Sequence, residues 1–381
     1  MCKYAVILLL SFPLLSFSQV RLNFQKTDSL TYQYYIKGDW KRLIDLSKEA
    51  FKQDIDSKTI RQRSGYAYFM TGDYTAAKYQ YAKALNFDGA DEISREYLYY
   101  SSLNAGSINT RYYAGNIPYD AALKLGIRKF NPVESVDTEF NLKTNQSNTR
   151  SNQVYYRAGI NTELGYRISL YQAFSYYEQI VSNQSIQQPE YLALLKITLS
   201  PDWLVKMAYH HLFTTYENTS YPADLGFVAL STQMNRFKLE ADASTLHSAQ
   251  ASTQQIGIHA GFTLPGRSNI HLSSAITGMI ENSAYRTIFS ETAGLKCIGN
   301  LWAEGNITLG NLKNYNTYNS LYIYNSEDPT VFRTGFALVW FAGRHLVLSG
   351  NFTFDQKQVE NIIVNNYYYQ YSYSGGIKWK L

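Results

Sequence analysis

His210 and His211 stand side by side in AYHHLF, and Glu240 and Asp242 stand two apart in FKLEADAS. These are the side chains in the chain best suited to chemistry. Two imidazoles could hold a metal ion, a pair of carboxylates could hydrolyse a glycoside, and a histidine beside a serine could cleave an ester. Backbone geometry decides among these. On a strand, adjacent side chains point to opposite faces, so His210 and His211 cannot chelate one ion together. Glu240 and Asp242 share a face with Cα atoms about 6.5 Å apart, and with Lys238 beside them they read as an ion-pair network. His211 falls on the other face with Tyr209 and Phe213, and no partner serine can be assigned to it. The chain has no Gly-rich phosphate loop, HExxH, CxxC or GxSxG motif. The expectation is a chain with no catalytic residue, cofactor or metal ion, in which Cys297 is a small buried or lipid-facing residue.

The elements that hold these residues alternate with a period of two from about Glu134 onward. VDTEFNLKT sets Val136, Thr138, Phe140 and Leu142 against Asp137, Glu139, Asn141 and Lys143. HLVLSGNFTFD and LWAEGNITL behave alike, so each segment has one apolar and one wet face. The wet faces carry Glu139, Arg157, Glu163, Lys196, Lys206, His210, Lys238, Glu240, Asp242, His259, Glu304, Arg333 and Asp355. Their signs are mixed. Residues 130–381 hold 17 Lys/Arg and 18 Asp/Glu, net −1. A strongly ion-selective pore would show one dominant sign. A neutral polar lumen, water-filled or cross-linked shut, is expected instead.

A soluble sandwich would also alternate, but three features favour a transmembrane barrel. The segments run to about 11–14 residues, as a tilted spanning strand requires, beyond the ~5–6 of a soluble strand. Aromatic residues gather near segment ends, as interfacial girdles do. Short connections (SPDW, MNRF, LPGR, IGN, AGR) alternate with long ones (NQSNTRS, VSNQSIQQ, ENTSYPAD, Leu312–Pro329, QKQVENIIVN). Fourteen segments can be counted. Twelve result if 188–199 or 285–297 is miscounted, and sixteen if TYNSLYIYN is a pair. The last segment, NYYYQYSYSGGIKWKL, presents Tyr367, Tyr369, Tyr371, Tyr373, Ile377 and Trp379 to lipid and closes against the first. Leu312–Pro329 is the candidate plug or ligand loop.

Ahead of this lies a different period. YYIKGDWKRLIDLSKEAF and YFMTGDYTAAKYQYAKAL match at a displacement of 34, pairing Gly38 with Gly72, Trp40 with Tyr74 and Ala50 with Ala84; Gly106 follows one more step on. Helix pairs that stack on one another repeat in this way, and the pattern resembles the tetratricopeptide repeat. MCKYAVILLLSFPLLSFSQ reads as a secretory signal peptide, with a short positive start, an apolar run and small residues before Gln19. The expected organisation is α + β multidomain: residues 1–18 signal, 19–129 helical repeats, 130–381 barrel. Residues 19–129 carry 17 basic and 12 acidic residues, a weak positive bias and no signature of nucleic-acid binding.

Signal, repeats around KGDW and TGDY, then a barrel to the C-terminus: this order, with LGYRISLYQAFS, resembles the YaiO-type outer-membrane barrel proteins. More distantly it is similar to repeat-plus-barrel ports for exopolysaccharide export. The resemblance implies a Gram-negative outer membrane, repeats in the periplasm docking a protein partner, a barrel in contact with lipid, and polysaccharide as a cargo. Three functions follow as expectations. The first is a transport or export component. The second is a membrane-anchored scaffold with a closed barrel. The third is a lipid- or envelope-modifying enzyme.

Overall fold

The computed structural model describes residues 22–105, 107, 110, 113, 132–146 and 150–381, apart from 166, 182, 201, 218, 235, 249–251, 265–268, 326–327, 344 and 360–366. The leader at 1–18 and Gly106 lie outside the described residues.

Five helices come first: α1 (Phe24–Lys37), α2 (Trp40–Lys52), α3 (Lys58–Met70), α4 (Tyr74–Ala84) and α5 (Glu92–Asn104). Their starts keep the 34-residue interval, at 24, 58 and 92 and at 40 and 74. The caps keep it too. Asn23, Ser57 and Asp91 cap α1, α3 and α5, and Asp39 and Asp73 cap α2 and α4, each side chain accepting from a backbone N–H in the first turn. Gly38 and Gly72 take left-handed φ values of 69° and 82° at the turns within the pairs, where a side chain would be strained. Ala50 and Ala84 are fully buried. At Gly65 the helices come closest: a Cβ there would lie 2.9 Å from the Tyr81 ring. Edge-to-face contacts at 5.3 and 5.6 Å join Tyr35, Tyr66 and Tyr97 across α1, α3 and α5.

The strands follow as β1 (Val133–Asn145), β2 (Gln153–Glu163), β3 (Ile168–Val181), β4 (Gln184–Ser200), β5 (Trp203–Tyr216), β6 (Thr219–Met234), β7 (Phe237–Ser248), β8 (Ser252–Thr263), β9 (His271–Glu281), β10 (Ala284–Ile298), β11 (Leu301–Leu309), β12 (Tyr315–Asn316), β13 (Ile323–Tyr324), β14 (Thr330–Phe341), β15 (Leu346–Gln358) and β16 (Tyr367–Lys380). Fourteen of them form one closed antiparallel barrel, in which β11 pairs with β14 and β16 closes on β1. The closing register runs from Ser135↔Lys380 to Asn145↔Gln370, so no edge is left unpaired. Segments 188–199 and 285–297 are both strands. TYNSLYIYN is not a pair of wall strands: it contributes only β13, which pairs with β12 just before it in a two-stranded sheet separate from the barrel wall.

The barrel has a near end, where β1 begins and β16 finishes, and a far end. The sequence expected long connections at the far end, and two of those are corrected. The β3–β4 link is residues 182–183 and the β5–β6 link is residues 217–218. Most of VSNQSIQQ and ENTSYPAD is strand, so β4 and β6 reach 17 and 16 residues. Both stretches are polar on both faces where the strands start, which reads as loop, and a proline follows or joins each, Pro189 in β4 and Pro222 in β6. Pro189 sits where the register with β5 passes from Gln187↔Thr215 to Glu190↔Leu212, and a proline cannot donate to the ladder.

The outer face is apolar. Ile256, Ile258 and Phe174 are 68%, 63% and 67% exposed. Trp203, Phe237, Trp340 and Trp379 ring the near end on that face, and Tyr367 and Tyr369 stand at the far end. Cys297 is exposed there as well. The helices contact the near-end turns: Arg236, between β6 and β7, donates to Asp73 at 2.6 Å, and Lys78 lies 4.0 Å from Asp202, between β4 and β5.

Candidate functional site

The strand period places all thirteen predicted wet-face residues on the lumen side, and partners across the wall bring most of them together. Arg157 lies 2.7 Å from Glu139, and Arg333 holds Asp355 through two donors at 2.7 and 2.9 Å. Asp242 meets His259 at 2.5 Å, and His271 reaches Glu304 at 3.1 Å. Lys206 donates to Glu240 at 2.7 Å, with both groups buried. That last pair refines the expectation built on Lys238: the close cation comes from β5, two strands away, and Ser231 of the intervening strand also donates to Glu240. Glu240 and Asp242 are thus engaged with separate partners, Lys206 and His259. His210 Nε2 stands 3.4 Å from Glu190, at ion-pair distance but without hydrogen-bond alignment. Glu163, Lys196 and Lys238 line the lumen by strand parity, Glu163 at the near rim.

His211 lies outside, as its parity requires. Its Nδ1 is 2.8 Å from Asp224, which also accepts from Tyr209 at 2.5 Å. Among the described residues no serine is bonded to it.

The segment between β11 and β14 turns inward and crosses the lumen. Leu312 and Tyr315 bury against Met279 and Ile288 of the β9–β10 wall. Asn316 exchanges hydrogen bonds with Gln255 of β8, its N–H donating at 3.1 Å and its carbonyl accepting at 3.0 Å. Asn319 accepts from Lys206 at 2.7 Å, and the Ser320 carbonyl bonds the His210 ring at 2.8 Å. Tyr322 reaches the far side of the lumen, donating to Glu139 at 2.5 Å and accepting from Arg157 at 3.1 Å. Asn325 donates to Gln188 of β4 at 2.6 Å. At the loop's end Arg150 pairs with Asp328 at 2.6 Å, and Tyr368 donates to the same carboxylate at 2.9 Å. The loop therefore touches strands all round the wall, among them β1, β2, β4, β5, β8, β9, β10 and β16. Asn314, Asn319 and Ser320 take φ values of 57°, 62° and 60°, left-handed backbone that local hydrogen bonding must hold in place.

The expectation of a wholly polar lumen is corrected on one wall. Leu192, Leu194, Leu225, Phe227 and Leu246 form an inward apolar cluster, and Leu321 and Ile323 of the loop pack on it. YLALLKI and DLGFVAL carry the signal, being apolar on both faces, as strands covered on both sides are. Glu190, Glu281 and Arg286 are charged lumen-side groups that strand reading missed. Glu190 follows Pro189, and the other two flank a tight turn; Arg286 lies 2.7 Å from Glu281 and donates to the Lys313 carbonyl of the loop.

Below the loop, on the near-end side, a cavity of about 330 Å³ remains, lined by Asp137, Glu139, Arg157, Tyr171, Lys196 and Lys378 among others and roofed by Asn319 and Leu321.

No protein-family model matches the chain, and no curated protein matches it. Solved structures do. A bacterial polysaccharide outer membrane secretin is 6% identical, with 66% of this chain and 99% of that chain covered and a TM-score of 0.42. The KdgM porin in complex with disordered oligogalacturonate is 6% identical, with 65% and 99% covered and a TM-score of 0.35. The Pseudomonas putida toluene transporter TodX is 7% identical, with 68% and 94% covered and a TM-score of 0.45.

Proposed function

We propose that the chain is an outer-membrane barrel serving transport, held shut at rest by the loop 310–329, with its helical repeats in the periplasm as a docking module for a protein partner. A closed barrel with an apolar exterior and aromatic girdles is a membrane-spanning design. In water the same exterior would be an aggregation surface. The near end carries both the helices and the C-terminus, so the periplasm is the side from which the helices and the cavity are reached. The 34-residue interval of helices and caps supports the tetratricopeptide reading. An envelope polysaccharide is the cargo favoured here.

The observation that carries the transport reading is the loop itself. A barrel serving only as an anchor could fill its lumen with side chains from the wall, as small barrels do. This one is closed by a separate segment, held by polar contacts to strands all round the wall and by apolar packing on two patches of it.

The experiment is single-channel conductance of the refolded mature chain, compared with a variant whose residues 312–325 are replaced by a short Gly-Ser linker. Silence from the intact chain and steady conductance from the variant are expected. Silence from both folded forms would overturn the transport reading in favour of the closed scaffold. A lipid-modifying activity finds no support in the His211 surroundings.

A further inference from the structure

We infer that the face shared by α1, α3 and α5 docks a basic segment of a partner protein, and that Glu96 receives its arginine or lysine side chain. The inference rests on the reading of the helices as a docking module and adds the chemistry of what docks. The 34-residue step sets equivalent residues side by side on this face: Asp28, Gln62 and Glu96; Tyr32, Tyr66 and Tyr100; Tyr35, Phe69 and Leu103. Within each helix these fall four and then three residues apart, on one side of the cylinder. Rings run across the face without a break. Tyr35 meets Tyr66 at 5.3 Å, Tyr97 meets Tyr66 and Phe69 at 5.6 Å each, and Tyr100 meets Tyr97 at 6.5 Å. The surface is open: Tyr32, Ile93 and Leu103 are 53%, 56% and 53% exposed. An apolar and aromatic patch of this kind marks a place where another molecule packs.

The polar position of each repeat shows what would pack there. Asp28 accepts from Arg63 at 2.8 Å and from Thr59 at 3.1 Å. Gln62 donates to Asp91 at 2.7 Å and to Ser94 at 3.3 Å. In both cases the partners come from the repeat that follows. Glu96 stands at the same position of the third repeat, and among the described residues it has neither an ion pair nor a hydrogen bond. Burial pushes its carboxyl up, and no cation lies near enough to offset that. Its charge is felt by the Tyr100 hydroxyl, which burial first and Glu96 second hold above the usual range.

The cations of α3 and α5 are already committed: Lys58 to Asp88 and Asp91, Arg61 to Asp56, Arg63 to Asp28, and Arg95 to the Gly89 carbonyl. Glu92, at the start of α5, adds a second carboxylate without a partner among the described residues. Lys26 and Lys37 stand at the two ends of α1, with α3 between them and Glu96. The face therefore complements a cation. A guanidinium or ammonium group at Glu96 gains a charge-assisted hydrogen bond and the ring faces beside it, whereas an acidic side chain would meet like charge. Glu96 does nothing for the helices themselves. A carboxyl whose folded pKa is raised takes stability from the fold at neutral pH.

The test is fluorescence anisotropy of labelled, blocked heptapeptides titrated with the refolded mature chain. One peptide carries a single arginine between two leucines at alternate positions, with alanine elsewhere. Two controls carry citrulline or glutamate in place of the arginine. The wild type is expected to hold the arginine peptide at least about tenfold more tightly than the citrulline peptide, the worth of one hydrogen bond to a charged group. Glu96→Gln should bring those two to equal affinity without moving the citrulline peptide, and its helical melting temperature should not fall. Tyr100→Leu should weaken both. An arginine preference that survives Glu96→Gln, a Glu96→Gln chain that melts early, or equal binding of all three peptides by the wild type would overturn the inference; the last would still leave a docking face of other chemistry. No binding of any peptide would overturn the inference and the docking reading together. Conductance of the loop-replaced variant reports the transport reading separately.

Discussion

Tyr322 ties the loop to the β1–β2 wall, and its hydroxyl does two things at once. Tyr322→Phe keeps the ring against Tyr155, 5.9 Å between centroids, but leaves Glu139 and Arg157 each short of a partner. Loss of a buried partner costs about 1–3 kcal/mol. The expected result is brief openings in bilayer recordings of a chain whose barrel unfolds at the wild-type temperature. A second residue-scale expectation concerns acid. Asp88 is held below the ordinary carboxylate range chiefly by its bond to Lys58. For Asp91, burial opposes the charged form, but the Ser94 hydroxyl and amide and Lys58 outweigh it and keep its pKa low. A depressed folded pKa means stability that is present above the usual carboxylate value and lost as pH falls through the folded one. Helical circular dichroism of the intact chain should therefore melt earlier below about pH 4, and Asp91→Asn should shrink the pH-dependent part while keeping a cap. Equal acid sensitivity in that variant would place the titrating group elsewhere.

At the scale of elements, the helix pairs depend on close approach. Gly65→Ala would press a methyl into the Tyr81 ring and should cost the helical array about 1–3 kcal/mol, read as an early helical transition with the barrel transition unmoved. The elements themselves were largely legible in the sequence. Period two marked the strands because one face meets lipid and the other meets a lumen, and the 34-residue step marked the helices because glycine and capping residues recur with it. What was not legible followed from context. The start of β4 was disguised because QSIQQ is polar on nearly every position and shows no alternation, and a proline follows it at 189. The partner of Glu240 was hidden because register across two strands is a property of closure, not of FKLEADAS. The lumen loop was recognisable as a candidate by its length and its Tyr and Asn content; that it reaches strands all round the wall was not, because nothing local encodes which wall Tyr322 will meet.

At the scale of the molecule, closure joins the last strand to the first. Removing residues 377–381 deletes the four near-end register partners of Ser135 to Thr138 and opens an edge that lipid cannot solvate. Such a truncation should fail to give a heat-modifiable band on refolding, whereas Trp379→Phe should refold. The helices and barrel meet through Asp73, whose two oxygens divide the work: one caps α4 through Ala76, at 3.1 Å, and the other takes Arg236. Asp73→Asn retains a cap and loses the ion pair, so it should raise protease access between the two parts without lowering helix content.

Both ends of the lumen loop are rooted at the far end of the barrel, at Leu309 and Thr330. A segment hung in this way swings out freely in one direction only. Load arriving from the helix side lifts it along its own tethers, while load from the other side drives it deeper onto the Leu192–Phe227 wall and the Arg157 clamp. In the transport barrel proposed above, this suspension predicts a check valve: resistance to flow should depend on the sense of the push, so that conductance rectifies.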